Sequence, residues 1–322
     1  MTEQNLNAKQ KYRLLCEQEP SIPIFSKAWW LDAVAGDSWD VVLVENNNGI
    51  LASLPFVIKK RFGLTILTQP KLTQTLGPWL RPSTAKYAKQ LAQEKDLLQA
   101  LFDQLPPHAY YGQNWHHTRT NWLPLYWKGY QQTTRYTYRI NDLSDLDTIY
   151  SNFENNSKKN IKNAIEKYGL IVIEDCPLDD FLELNDMVFK RQNKATPYSR
   201  DFVRKLDKSL LKNKARKIFI ACDQDGRKHG AMYLIWDKFS AYALMGGSNP
   251  VLRESGAISL CRWEAIKFAA TVTKSFDFEG SMLEGVERSY RCFATVQTPY
   301  FAVSKTNSKL LQVYWFLQSL RK

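Results

Sequence analysis

Toward the end of the chain the sequence reads Phe276-Asp277-Phe278-Glu279-Gly280, followed by Glu284, Glu287, Arg288 and Arg291. The alternation predicts a strand with both phenyl rings on one face and both carboxylates on the other. A carboxylate at a strand's end can take the proton of an attacking amine. An arginine beside it can stabilise a developing oxyanion. Asp277, Glu279 and Arg291 are therefore the candidate catalytic residues, with Arg288 placed to hold an anionic substrate. An ion-pair network closing a sheet would use the same residue types.

A second constellation is Arg253-Glu254-Ser255-Gly256, which sits between "GGSNP" and a helical run. Ser255 is suited to cap that helix. Gly256 permits a close backbone approach, and Arg253 adds a charge-assisted contact. Together they describe a phosphate cradle at a helix N-terminus; the plainer reading is a capped turn with a surface arginine. In "NNSKKNIKNAIEKYG", Ile161, Ala164, Ile165 and Tyr168 share one helix face. Asn156 or Ser157 is suited to start this helix and Gly169 to end it. Lys158 and Lys159 lead the candidate anion contacts on it, against the alternative of a solvated lysine face.

The elements that must position these residues occur twice. Val41–Ile58 reads strand, Asn/Gly turn, strand, and Ile218–Trp236 reads strand, Asp/Gly turn, strand. Each is followed by strand material and a break, "TLGPWLRPS" or "AYALMGGSNP". Helices over about 85–105 and 257–271 come next, then the aromatic segments "AYYGQNW" and "SFDFEG". A hairpin, a further strand, a crossover helix and a last strand describe an α/β unit with a mixed sheet. Two copies of that unit are expected.

That order resembles the GNAT acetyltransferase fold. Its signature Arg/Gln-x-x-Gly-x-Gly/Ala is matched at Arg253 and Gly256, with Ile258 in the last place. The words "NNSKKNIKNAIEKYG", "YSRDFVRKL" and "FDFEGSMLEGVERSYRCFATVQTPYF" resemble the Fem-type (FemABX) peptidyltransferase group, over roughly Asn155 to Ser304. Where that group has Phe-Lys-x-x-Phe-Gly, this chain has Ser289-Tyr290-Arg291-Cys292-Phe293-Ala294. The resemblance implies two GNAT-like domains, 1–145 and 146–322, each a mixed sheet flanked by helices, with a cleft between them. It implies transfer of an acyl or aminoacyl group onto an amine of an anionic acceptor. Acyl-CoA or aminoacyl-tRNA would be the donor substrate, with no firmly held cofactor. No long charged helical arm is present, which favours the wider superfamily over tRNA-dependent peptidoglycan bridging. The substitutions at Ile258, Tyr290 and Ala294 keep open a second reading, a non-catalytic binding protein for a nucleotide-linked or other anionic ligand.

Composition bounds these readings. The chain has 322 residues, 44% of them hydrophobic, and a formal net charge of +12. That charge favours anionic partners. A nucleic-acid groove is disfavoured because seven of the ten tryptophans precede Gly129, away from the basic helix. Five dispersed cysteines without Cys-x-x-Cys spacing predict reduced thiols and a cytoplasmic protein. The start lacks an apolar signal region, and no apolar run reaches the length of a membrane span. Adjacent His116 and His117 make a poor chelate, so no metal site is expected.

Overall fold

The computed structural model describes residues 6–280 and 282–319. Two helices come first, α1 (Ala8–Gln18) and α2 (Ala28–Ala35). Asn7 and Gln10 exchange backbone and side-chain hydrogen bonds at the start of α1, forming a capping box. Strands β1 (Trp39–Asn46), β2 (Gly49–Arg61), β3 (Leu64–Thr68) and the short β4 (Trp79–Leu80) follow. Helix α3 (Tyr87–Asp103) crosses over to β5 (Tyr110–Asn114), and α4 (Leu123–Tyr126) precedes β6 (Gln131–Ile140). Next come α5 (Leu146–Ser151), α6 (Asn155–Glu166), β7 (Ile171–Glu174), α7 (Leu178–Arg191) and α8 (Arg200–Lys212). The second hairpin is β8 (Arg216–Cys222) and β9 (Lys228–Trp236), followed by β10 (Ser240–Ser248). A 3-10 turn over Pro250–Ser255 leads to α9 (Ala257–Val272), β11 (Ser275–Asp277), α10 (Glu284–Arg291), β12 (Val296–Thr306) and α11 (Lys309–Ser319).

The expected duplication is present element by element. In one copy β1, β2 and β3 run antiparallel in turn, α3 crosses over, and β5 lies parallel to β3. In the other, β8, β9 and β10 run antiparallel, α9 crosses over, and β11 lies parallel to β10. Each mixed sheet has its own core. Leu54, Phe56, Leu67, Leu101, Tyr111 and Trp115 fill the first. The second is built on Phe219, Leu234, Ala265, Ile266, Phe276 and Phe278. Helix α9 buries Leu260, Cys261, Ala265, Ile266 and Ala269 against its sheet.

The chain divides into two compact units. One holds the described residues up to Arg135 together with those from Pro299 onward; the other is Tyr136–Thr298. The expected boundary at 145/146 thus falls about ten residues earlier, and the last segment, assigned above to the second domain, completes the first. The reason is strand pairing. Strand β12 is the antiparallel neighbour of β5, from Ala302 opposite Asn114 to Thr306 opposite Tyr110. It contributes Val303 to the first core. In the second unit β6 takes the corresponding place beside β11.

A chain ending at Thr298 would leave the β5 edge unpaired and open the first core. Fast hydrogen exchange is expected at the amides of Tyr111, Gln113 and Trp115, which face β12, with protection kept over Phe219–Cys222. Full protection of these three amides in that truncation would contradict the pairing.

Candidate active site

Strand β11 is short, and its last residue is the centre of the site. Asp277 lies opposite Arg139 of β6 and is buried, with 2% of its surface exposed. Its Oδ1 accepts hydrogen bonds from the Thr137 hydroxyl and from the backbone N–H of Glu279 at 2.7 Å. Its Oδ2 is 3.4 Å from Nε of Arg139. Burial raises the carboxyl from its ordinary 3.8 to about 6, against the pull of Thr137, Arg139 and the Glu279 amide. Asp277 is therefore held as the ionised member of the site at neutral pH.

Glu279 leaves the strand altogether. Its φ of 60° is in the left-handed region, as is that of Gly280 at 52°. A Cβ on Gly280 would lie 2.2 Å from the Tyr136 carbonyl oxygen, so this turn needs glycine. The expected face separation holds through Phe278, with both rings in one core cluster and Asp277 turned to Thr137 and Arg139, and fails at Glu279. Phe276 and Phe278 are both fully buried and pack edge to face at 4.9 Å, while Asp277 is buried with them. Glu279 is half-buried as a residue, but its Oε1 is shielded from solvent and has no hydrogen-bond partner among the described residues. Desolvation, then the charge of Asp277, pushes its pKa well above the usual glutamate value. Two carboxyls two residues apart are thus both pushed upward, and neither titrates as an ordinary exposed carboxylate.

Two phenols lie within the electrostatic reach of Glu279, Tyr198 and Tyr290. The Tyr198 hydroxyl donates to Asn185 Oδ1 at 3.0 Å. Asn185 Nδ2 donates in turn to the Gly246 carbonyl at 2.7 Å. Tyr290 stacks 5.3 Å from Phe278. Arg262 of α9 lies over the Tyr290 and Phe293 rings, 5.2 and 5.3 Å from their centroids. It donates to the carbonyl and hydroxyl of Ser289, both at 3.0 Å, so it ties α10 to α9.

The other expected residues lie elsewhere. Arg291 is exposed and pairs with Glu287 at 3.6 Å. Arg288 is exposed on the same helix. The cation beside Asp277 is Arg139, which the sequence reading did not select. Lys158 donates to the Ser151 carbonyl, and Lys159 is exposed. Helix α6 starts after Glu154 without a side-chain cap, not at Asn156 or Ser157. Ile165, expected on its buried face, is exposed.

The glycine-bearing break is shaped by packing. A Cβ on Gly247 would meet the α7 backbone at 2.8 Å, and one on Gly256 would lie 2.2 Å from the Asn160 carbonyl oxygen. The close approach that Gly256 allows is that of α6. Gly256 itself, with φ of 77°, occupies the cap position of α9, and Ser255 makes no capping bond. The Ser255 hydroxyl is buried without a hydrogen-bond partner among the described residues. Ser255 borders a cleft of about 600 Å³ with Lys167, Asp223, Arg227, His229 and Glu254. Arg253 is exposed.

Thr137 and Arg139 were legible in one respect. They are two apart in the alternating run Gln131–Ile140, so they share a strand face. No local signal says that this face meets Asp277. Ala294, which stands where the Fem word has glycine, has a φ of 56°, in the left-handed region that favours glycine.

Residues 151–285 match the family model described as Acetyltransferase (GNAT) domain, a span that contains Asp277 and Glu279. The fold is similar to the crystal structure of FemX, with a TM-score of 0.71 and 12% identity over 96% of this chain and 98% of that one. It is similar to L-PGS from Bacillus licheniformis, TM-score 0.54 and 12% identity over 97% and 95% of the two chains. A tandem GNAT protein from the clavulanic acid biosynthesis pathway gives a TM-score of 0.52 and 7% identity over 93% and 94%. No curated protein sequence matches the chain. The fold is that of GNAT-like proteins, similar to FemX, and the span that matches the acetyltransferase domain lies within the second unit.

Two substitutions test this geometry. The raised pKa of Asp277 means that the unfolded chain releases this proton first as pH rises. Its contribution to stability is full below about 4 and is lost by about 6. Asp277→Asn removes that loss, and Glu279, relieved of its neighbour's charge, shifts in the same direction. In urea melts the variant should therefore gain on the native protein between pH 4 and 7, by up to roughly 3 kcal/mol. A difference that does not change with pH would contradict the burial argument. Gly256→Ala should cost more than about 1 kcal/mol, because the added methyl meets backbone at a left-handed position. An unchanged melting temperature would show that α6 does not press on this loop.

Proposed function

We propose that this chain, whose residues 151–285 match a GNAT acetyltransferase domain, transfers an acyl or aminoacyl group to an amine of an anionic acceptor, with Glu279 as proton acceptor. The observation that carries the reading is the buried, unpartnered Glu279 Oε1 beside an anchored Asp277. An amine attacks a carbonyl only after losing its proton. A carboxyl whose pKa is pushed upward is a better base for that proton than an ordinary glutamate. As the nitrogen–carbonyl bond forms, Glu279 takes the amine proton, and the bond from the carbonyl to the donor's carrier breaks. A neutral phenol, Tyr290 or Tyr198, is suited to return a proton to the departing carrier.

The donor is read as a group on a phosphate-bearing carrier, acyl-CoA or aminoacyl-tRNA. Supporting this are the net charge of +12 and the exposed Arg253 next to the N-terminus of α9, a position that favours anions. Lys158, Lys159 and Arg288 are the further cations available for an anionic acceptor. The five cysteines are all free, which supports a reducing, cytoplasmic setting.

Glu279→Gln keeps the shape and removes the base. With an amine acceptor and an acyl donor that the native protein uses, turnover should fall by about 10²–10⁴ while the melting temperature holds. The native rate should rise with pH through a midpoint above the usual glutamate range, and the variant should lose that limb. Native turnover in Glu279→Gln would refute the assignment.

A further inference from the structure

The β2–β3 turn is built against its own residue preference. Arg61 pairs with Leu64, so Phe62 and Gly63 are a two-residue hairpin loop, with φ of 51° and 75°. Positive φ at both positions is the hairpin geometry that selects Asn or Asp followed by Gly. A bulky residue there is strained. Phe62 is nonetheless 63% exposed, so burial does not explain the phenyl ring.

Helix α11 lies beside it. The Tyr314 ring meets Phe62 edge-on at 5.5 Å, and the Tyr314 hydroxyl accepts a hydrogen bond from Arg61 at 2.6 Å. Leu311 is buried, and Trp315 packs 4.7 Å from Tyr110. The opposite side is also apolar. Leu310, Val313, Phe316 and Leu317 are all exposed and fall within an arc of roughly 120° at the α-helical spacing. A contiguous apolar patch of this kind marks an interaction site.

Cations border the patch. Lys59, Lys60, Arg61 and Lys309 are exposed. The sequence has no acidic residue between Glu45 and Glu94, and none after Glu287. Lysines are depleted at the centre of protein–protein interfaces. Apolar side chains flanked by cations instead match an anionic bilayer surface, where rings and aliphatic groups enter the acyl boundary and cations stay among the phosphates. Among the described residues no helix is long and apolar enough to cross a membrane, so the contact would be peripheral.

We propose that Phe62 and the exposed stripe of α11, with Lys59, Lys60, Arg61 and Lys309, form a docking surface for an anionic lipid bilayer. This surface belongs to the first unit and does not rest on the acyl-transfer reading. The test is co-sedimentation of the full chain with vesicles of phosphatidylglycerol and phosphatidylcholine, compared with phosphatidylcholine alone. Binding to the anionic vesicles is expected, weakening with salt. Phe62→Asn places a preferred residue in the turn, so the melting temperature should hold or rise while vesicle binding falls about tenfold or more. The double change Phe316→Gln, Leu317→Gln should do the same. Absence of native binding to anionic vesicles, or binding untouched by both variants, overturns the proposal. So does concentration-dependent self-association that Phe62→Asn abolishes, which would assign the patch to a second copy of the chain.

Discussion

The second unit depends on one buried carboxylate having enough partners. Asp277 is removed from water at the end of a three-residue strand. An ionised carboxylate is costly there unless it is hydrogen-bonded and paired. Thr137 and Arg139 from β6 and the amide of Glu279 supply those contacts. They also set the local structure. The amide bond to Asp277 helps hold Glu279 in a left-handed conformation, and Gly280 fits against the Tyr136 carbonyl. The Glu279 Oε1 is then left beside Asp277 without a hydrogen-bond partner among the described residues. An anchored charge and an unanchored neighbour are made by the same turn.

That arrangement links the strand exchange to the chemistry. Arg139 and Thr137 lie on β6, which precedes the second repeat in the chain and pairs with its last parallel strand. The equivalent position in the first unit is filled by β12. The first unit is completed by a segment from the far end of the chain, whereas the second is one continuous stretch that begins within β6. The Asp277 end of the second sheet is held by a strand outside the repeated segment.

Local patterns were the part of this fold that the sequence revealed well. The Asn/Gly and Asp/Gly turns marked both hairpins, and the helix read over about 257–271 is Ala257–Val272 in the structure. Asp277 and Glu279 were selected from the alternation of Phe276–Gly280, but that alternation ends at Phe278. The turn that follows, at Gly280, is fitted against Tyr136 and Thr137, far away in sequence. Arg139 was missed for the same reason: strand register between distant segments has no local signature. Arg291 looked equivalent to it from composition, yet a helix carries Arg291 to Glu287. Ser255 looked like a cap, but the left-handed Gly256 occupies that position because Asn160 of α6 presses on the loop.

The protonation of Glu279 is the claim on which the catalytic reading stands. It can be measured by a ¹³C NMR titration of the chain carrying labelled glutamate carboxyls, with Glu279→Gln used to assign the resonance. The account predicts one glutamate titrating well above the ordinary range, absent from the variant, while the exposed glutamates titrate normally. If the Glu279 signal moves with the ordinary glutamates, the carboxyl is solvated and ionised at neutral pH, and the turn after Asp277 does not prepare a base.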